Sequence, residues 1–242
     1  MEKSIFILDI GNSRAKLSCY KNSIWEYCFS IQRDEYSKLG SFMRENVLEN
    51  DLLIWTSVVE SGAISVREEM GLNQFELKRE RIELSSINYT IPTTLGLDRY
   101  FACLGARSLS KTNSCIVIDA GTAMTIDLMN NKNVFEGGVI CPGLQLWEIS
   151  LKEHAPALPN VAREIPELWP PKSTAEALKW GISGGFVALI TTMIDKWKHD
   201  YPDAKIYSTG GDGEWVSNQI SDCIFDRFLV EKGCLEIWKN QA

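Results

Sequence analysis

Ser4-Ile5-Phe6-Ile7-Leu8-Asp9-Ile10 with the following Gly11-Asn12-Ser13, and Cys115-Ile116-Val117-Ile118-Asp119 with the following Ala120-Gly121-Thr122-Ala123, are the stretches that decide the fold. Each is an apolar run reaching an aspartate, then a glycine turn with a hydroxyl, then a second strand-like run, at 15–20 and 123–128. Asp119 stands 110 residues after Asp9, and the order of elements around the two stretches repeats. In the first half, strands near 4–10, 15–20 and 24–30 precede a helix near 34–48 and a buried strand at 52–59 that ends in Glu60-Ser61-Gly62. In the second half, strands near 115–119, 123–128 and 134–140 precede helices near 143–153 and 173–197 and a strand at 205–209 that ends in Gly210-Gly211-Asp212-Gly213. Residues 82–94 read as a weakly patterned connection and 96–110 as a helix. A period this long is no solenoid. It predicts an α/β protein of two similar halves, 1–113 and 114–242, facing each other across a cleft lined by their glycine turns.

Composition narrows the function. The 242 residues include 25 Lys plus Arg and 32 Asp plus Glu, a net charge of −7, with 45% hydrophobic content. That acidic balance argues against nucleic acid or an anionic membrane as the main partner, since both need a clustered basic field. The apolar run beginning at Ser4 is too short for a signal peptide or a span, and the uncharged stretch 180–194 is interrupted by glycines and also too short. A cytoplasmic protein is expected. The seven cysteines form no Cys-x-x-Cys pair and sit mostly in apolar runs, which reads as reduced, buried thiol. With only His154 and His199 besides, the expected metal is a hard cation on oxygen ligands.

The two turns suit phosphate. Glycine brings backbone N–H groups close to an oxyanion, the hydroxyl adds a donor, Lys16 adds positive charge, and Asp9 and Asp119 would hold a cation between themselves and the phosphates. The competing reading, two Asx-type hairpin turns, loses ground because the pattern occurs twice at corresponding places. Gly96-Leu97-Asp98-Arg99 opens the 96–110 helix. Asp98 there is either a helix cap or a carboxylate that accepts a proton from a substrate hydroxyl, with Arg99 beside it for an anionic group. Gly181-Ile182-Ser183-Gly184-Gly185 matches the hydrolase Gly-x-Ser-x-Gly pattern, yet it follows a helix-like rather than a strand-like stretch. Residues 155–171 hold five of the eight prolines and read as a stiff excursion, either a plain connector or a pocket wall.

Taken in order, Asp9-Ile10-Gly11-Asn12-Ser13 with Lys16, Tyr89 through Pro92 to Gly96-Leu97-Asp98-Arg99, Asp119 to Ala123, Gly137-Gly138 to Pro142-Gly143, Thr174-Ala175-Glu176-Ala177 with Gly181, and Thr209-Gly210-Gly211 resemble the ordered motifs of the type III pantothenate kinases over nearly the whole chain. The resemblance implies a duplicated actin-like ATPase fold, ribonuclease H-like in each half, and ATP-dependent phosphorylation of pantothenate at the start of coenzyme A synthesis. It implies that Asp9, Ile10, Gly11, Asn12, Ser13, Arg14, Ala15 and Lys16, with Thr122, contact ATP. It implies that Tyr89, Gly96, Leu97, Asp98, Arg99 and Thr174 contact pantothenate, that Asp98 is the proton acceptor, and that Asp119 binds the potassium or ammonium ion needed besides Mg-ATP. A homodimer is implied as well, and Trp180 and Trp197 would either face the second chain or pack inside one subunit. Two departures are visible: Ser13 stands where threonine is commoner, and His154 to Pro159 lacks the usual threonine-containing stretch. The rivals are a regulatory protein of the Bvg accessory factor kind, which the acidic charge disfavours, and another small-molecule kinase of the same fold.

Overall fold

The computed structural model describes residues 4–69, 73–110 and 113–241; Met1 to Lys3, the charged start of the chain, lie outside the described residues. In chain order the strands and helices are β1 (Ile5–Ile10), β2 (Arg14–Lys21), β3 (Ile24–Gln32), α1 (Leu39–Asn46), β4 (Leu52–Ser57), α2 (Glu60–Glu69), β5 (Gln74–Glu76) and α3 (Leu97–Ser110). There follow β6 (Cys115–Ala120), β7 (Ala123–Met129), β8 (Phe135–Pro142), α4 (Leu144–His154), α5 (Thr174–Lys179), α6 (Gly185–Asp200), β9 (Lys205–Thr209), α7 (Gly213–Ser217), β10 (Cys223–Phe225) and α8 (Leu229–Gln241). One sheet has the order β3-β2-β1-β4-β5 and the other β8-β7-β6-β9-β10, so the predicted duplication is visible strand for strand. In each, the strand that carries the aspartate as its penultimate residue pairs antiparallel with the strand after its glycine turn and parallel with a later strand, β4 or β9.

Side-chain alternation explains what each sheet face does. Leu8, Ile10, Ala15 and Leu17 point to a core shared with Tyr36, Leu39 and Met43, and with Ala63 and Val66 of α2. Asp9, Lys16 and Ser18 therefore fall on the opposite face, where α8 lies against β1 and β4. β4 is buried from Leu52 through Thr56, as expected for a strand covered on both faces. In the second sheet Ile116, Ile118 and Ala120 join a core with Leu144, Phe186 and Ile190, which leaves Asp119 on the face away from that core.

By compactness the chain divides into one unit of 1–111, 133–135 and 228–242 and another of 112–132 and 136–227. This differs from a cut at 113/114 because α8 returns to the first unit. Its Gly233 meets the backbone of Phe101 on α3 while Gly105 of α3 meets the backbone of Leu229, a crossing that leaves no room for a β-carbon on either helix. Phe135 joins the first unit through a parallel bridge to Ile87. We propose the 113/114 division as the boundary of the duplication, not of the compact units.

Other sequence expectations shift. Glu60-Ser61-Gly62 opens α2 rather than forming only a turn, and β5, α7, β10 and α8 add elements beyond those expected. Cys28 is exposed because β3 is an edge strand, while Cys103, Cys115 and Cys234 are buried, and none of the seven cysteines is in a disulfide. The Gly181–Gly185 pattern lies in a π-helical turn, Trp180–Gly184, that joins α5 to α6, so Ser183 is a buried helical residue and no nucleophile elbow exists there. That continuity also overturns the expectation that the apolar stretch is too short. Thr174–Asp200 forms one helical run of 27 residues, long and apolar enough by length and composition to cross a membrane. Phe186, Ile190 and Ile194 of this run lie in the core of the second unit.

Candidate active site

The first phosphate-type turn is held from within its own unit. Gly11 N–H donates to Arg14 O at 3.1 Å, closing the β1–β2 hairpin, and the Tyr36 hydroxyl donates to Gly11 O at 2.7 Å. Burial, with the Asp9 charge nearby, pushes the Tyr36 hydroxyl up to about 12, so it remains a donor at neutral pH. Asn12, Ser13 and Arg14 are exposed at the tip, where backbone N–H groups can meet a ligand. Asp9 is 8% exposed and stands in register with Lys16 across the hairpin and with Thr56 of β4. The sheet face that carries Asp9 is covered by α8, from which Glu231 accepts a hydrogen bond from Ser18 Oγ at 3.1 Å. Burial, and then the Asp9 and Glu231 carboxylates, push the Cys234 thiol well up, which keeps it neutral. Tyr36, Glu231 and Cys234 were not singled out from the sequence. Their only signal would have been the packing of 34–48 and of a C-terminal helix onto β1.

Around α3 the structure gathers most of the residues expected from the sequence to meet pantothenate. Asp98 sits inside the first turn of the helix, where the helix dipole favours a carboxylate, and its Oδ1 accepts the Arg99 amide at 2.9 Å. It is half-buried and does not occupy the capping position itself, which falls to Gly96. Arg99 is buried, donates through Nη1 to the Tyr89 hydroxyl at 3.1 Å, and lies over the Phe135 ring at 5.5 Å. Phe135 also meets the Tyr89 ring edge-on at 5.6 Å and accepts the Asn88 amide on its carbonyl at 2.8 Å. Tyr89, Gly96, Leu97, Asp98 and Arg99 thus form one constellation, while Asp9 to Lys16 lie on the β1–β2 hairpin of the same unit.

Asp119, Thr122 and Thr174 belong to the other unit. Asp119, near the end of β6, stands in register with Thr125 of β7 and Thr209 of β9. Gly210 takes φ +86°, which a side chain rarely tolerates, and the place of its missing β-carbon is filled by Asp119 Oδ1 and Ala120 O. The Gly210–Gly213 turn is thereby pressed onto the strand end that carries Asp119. The chemistry of these donors, a carboxylate beside a main-chain carbonyl, suits a hard cation. Among the described residues no three His, Cys, Asp or Glu side chains group as a metal site. Thr174 is the first residue of α5, whose start is capped by Ser173 and braced by Glu176. Ser173 Oγ accepts the Glu176 amide at 3.3 Å, and Glu176 accepts the Lys172 amide at 3.1 Å.

The family model of the type III pantothenate kinases matches residues 5–196. The type III pantothenate kinase of Flavobacterium johnsoniae is 30% identical over 237 residues, covering 94% of both chains, and that of Phocaeicola vulgatus is 29% identical over 230 residues with the same coverage. Among solved structures, a Campylobacter jejuni protein described as a Baf family transcriptional activator superposes with TM-score 0.69 at 25% identity over 98% of each chain. MreB5 of Spiroplasma citri bound to ADP superposes with TM-score 0.57 at 10% identity over 99% of this chain and 97% of its own, which speaks to the actin-like fold alone. With the duplicated sheets, both glycine turns and the Gly-x-Asp-Arg helix in place, the chain belongs to the type III pantothenate kinase family.

Proposed function

We propose that this chain transfers the γ-phosphoryl group of ATP to the primary hydroxyl of pantothenate, giving 4'-phosphopantothenate, the first step of coenzyme A synthesis. The observation that carries the reading is the α3 constellation. Asp98 engages one oxygen with its own helix turn and presents a second carboxylate oxygen, while Arg99 is held in place by Tyr89. Asp98 takes the proton of the attacking hydroxyl. Arg99, Tyr89, Gly96, Leu97 and Thr174 orient pantothenate, whose carboxylate needs a cationic partner. The backbone of 9–16 and the Thr122 hydroxyl hold the ATP phosphates, with Lys16 neutralising their charge. A magnesium ion on ATP and a potassium or ammonium ion at Asp119 would add positive charge against the phosphates. The protein works in the cytoplasm as a homodimer.

No observation favours the regulatory rival. The test is ADP release from purified protein offered pantothenate, several sugars and acetate, with and without potassium. Turnover with pantothenate alone, lost when sodium replaces potassium, is the expected result. Turnover with a sugar or acetate in place of pantothenate would overturn the substrate, and full activity in sodium with magnesium present would overturn the role of Asp119.

A further inference from the structure

Arg163 lies in the proline-rich excursion and has no part in the reaction as described so far. Its guanidinium donates Nε and Nη2 to the two carboxylate oxygens of Glu148, at 2.6 and 2.8 Å, and Nη1 to Asp212 Oδ1 at 2.6 Å. The three side chains retain 32, 30 and 20% of their exposure, so this is a partly shielded network and not a loose surface pair. A forked guanidinium that grips one carboxylate with two bonds and a second with its remaining arm fixes direction as well as distance. The Glu148 and Asp212 hydrogen bonds also push the guanidinium further up, so its charge is constant.

What Arg163 joins gives the network its meaning. Glu148 is on α4, and at the start of that helix the Gly143 amide donates to Thr122 O at 2.9 Å. Asp212 is in the turn after β9, its amide donates to Ala120 O at 2.9 Å, and Gly210 of that turn is pressed against Asp119. One support therefore touches the Thr122 end of the second glycine turn and the other touches its Asp119 end. Without a cation between them, Glu148 and Asp212 would repel, and Arg163 is the side chain that bonds both.

We propose that Arg163 is a positioning residue. By tying α4 to the Gly210–Gly213 turn it sets the shape of the Asp119–Thr122 loop and so the affinity for nucleotide phosphates. This rests on the assignment of that loop to ATP. Tyr89 and Gly96 to Arg99 are in the other compact unit and keep their own hydrogen bonds, and Thr174, in the same unit as Arg163, is held separately by the Ser173 cap of α5. The effect should therefore fall on ATP and leave pantothenate alone.

The test compares wild type with Arg163→Met, Arg163→Lys, Glu148→Gln and Asp212→Asn. It measures affinity for a fluorescent ADP analogue directly, and then KM for ATP and for pantothenate. Arg163→Met should weaken nucleotide binding and raise the KM for ATP by about 3- to 30-fold, the range typical of residues that act through others, with the KM for pantothenate unchanged. Arg163→Lys, which keeps the charge and loses the fork, should fall between. Arg163→Met combined with Asp212→Asn should cost less than the sum of the two. Arg67, which bridges Glu60 and Glu76 on and beside α2, supplies the control. If Arg163→Met loses stability as Arg67→Met does but keeps wild-type nucleotide affinity, the role is structural only and the proposal fails. Should Arg163→Met not fold, Glu148→Gln and Asp212→Asn each remove one arm, and unchanged nucleotide affinity in both sinks it. A wild type that binds the analogue yet shows no turnover with pantothenate would instead defeat the substrate assignment, leaving the affinity comparison to decide this one.

Discussion

Asp98 accepts a hydrogen bond from the amide of the very next residue and stands at the positive end of α3, which fixes the carboxylate without covering it. Replacing it tests its role as base. Asp98→Asn keeps the shape and the bond to the Arg99 amide but can no longer take a proton. Turnover should fall about 10²- to 10⁴-fold while ATP affinity and thermal stability stay near wild type. Near-normal turnover in that variant would remove Asp98 from the chemistry. Residues such as Asp98, Arg99 and Thr122 could be proposed from the sequence because they sit in short motifs. Arg163 was not, since its two carboxylates lie 15 and 49 positions away. Glu231 was not either, because its partner Ser18 is 213 positions distant. Such side chains acquire a role only through contacts that no local pattern announces.

At the scale of elements, the longer strands and helices were readable, the buried strand β4 among them, and the very short strands were not. β5 and β10 span three residues each, too few to show an alternation. α8 hides for a different reason. Lys232, Glu236 and Lys239 do give it a polar side, but Glu231 and Gly233 lie among its seven buried residues, where a charge and a glycine interrupt the apolar pattern. Gly233 is where this matters for stability. In an exposed helix, glycine to alanine would stabilise by about 1 kcal/mol. Here the added methyl would strike the Phe101 backbone, which cannot swing aside as a side chain can, and overpacking costs about 1–3 kcal/mol. The clash should win. Gly233→Ala is expected to lower the midpoint of urea unfolding with the slope unchanged. A variant as stable as wild type would mean that α3 and α8 do not cross so closely.

For the molecule as a whole, the duplication was legible at a distance of 110 residues because both halves obey the same rule, an apolar strand that ends in an aspartate and a glycine turn. The return of α8 to the first unit was not legible, since it depends on two glycines in different helices. The proposed homodimer also belongs at this scale, and the structure sorts the tryptophans on which it rested. Trp197 packs against the core of the second unit, the intrasubunit alternative. Trp180 instead donates its indole N–H to Leu168 O at 3.3 Å and meets Trp169 edge-on at 5.0 Å, and Trp169 is 70% exposed. With Pro171, Ala177, Gly181, Gly184 and Ala188 they line a shallow, almost wholly apolar hollow of about 410 Å³ along Thr174–Asp200. An apolar surface of this kind is costly to leave in water, and aromatic residues are enriched where interfaces are dry. Covering it with the same surface of a second chain would remove that cost and would hold the α5 run, with Thr174 at its start, rigid for pantothenate. Sedimentation at micromolar concentration should give twice the 27.3 kDa of one chain, and Trp169→Glu should shift the protein towards monomer and raise the KM for pantothenate. A 27.3 kDa monomer with full specific activity would show that one chain suffices.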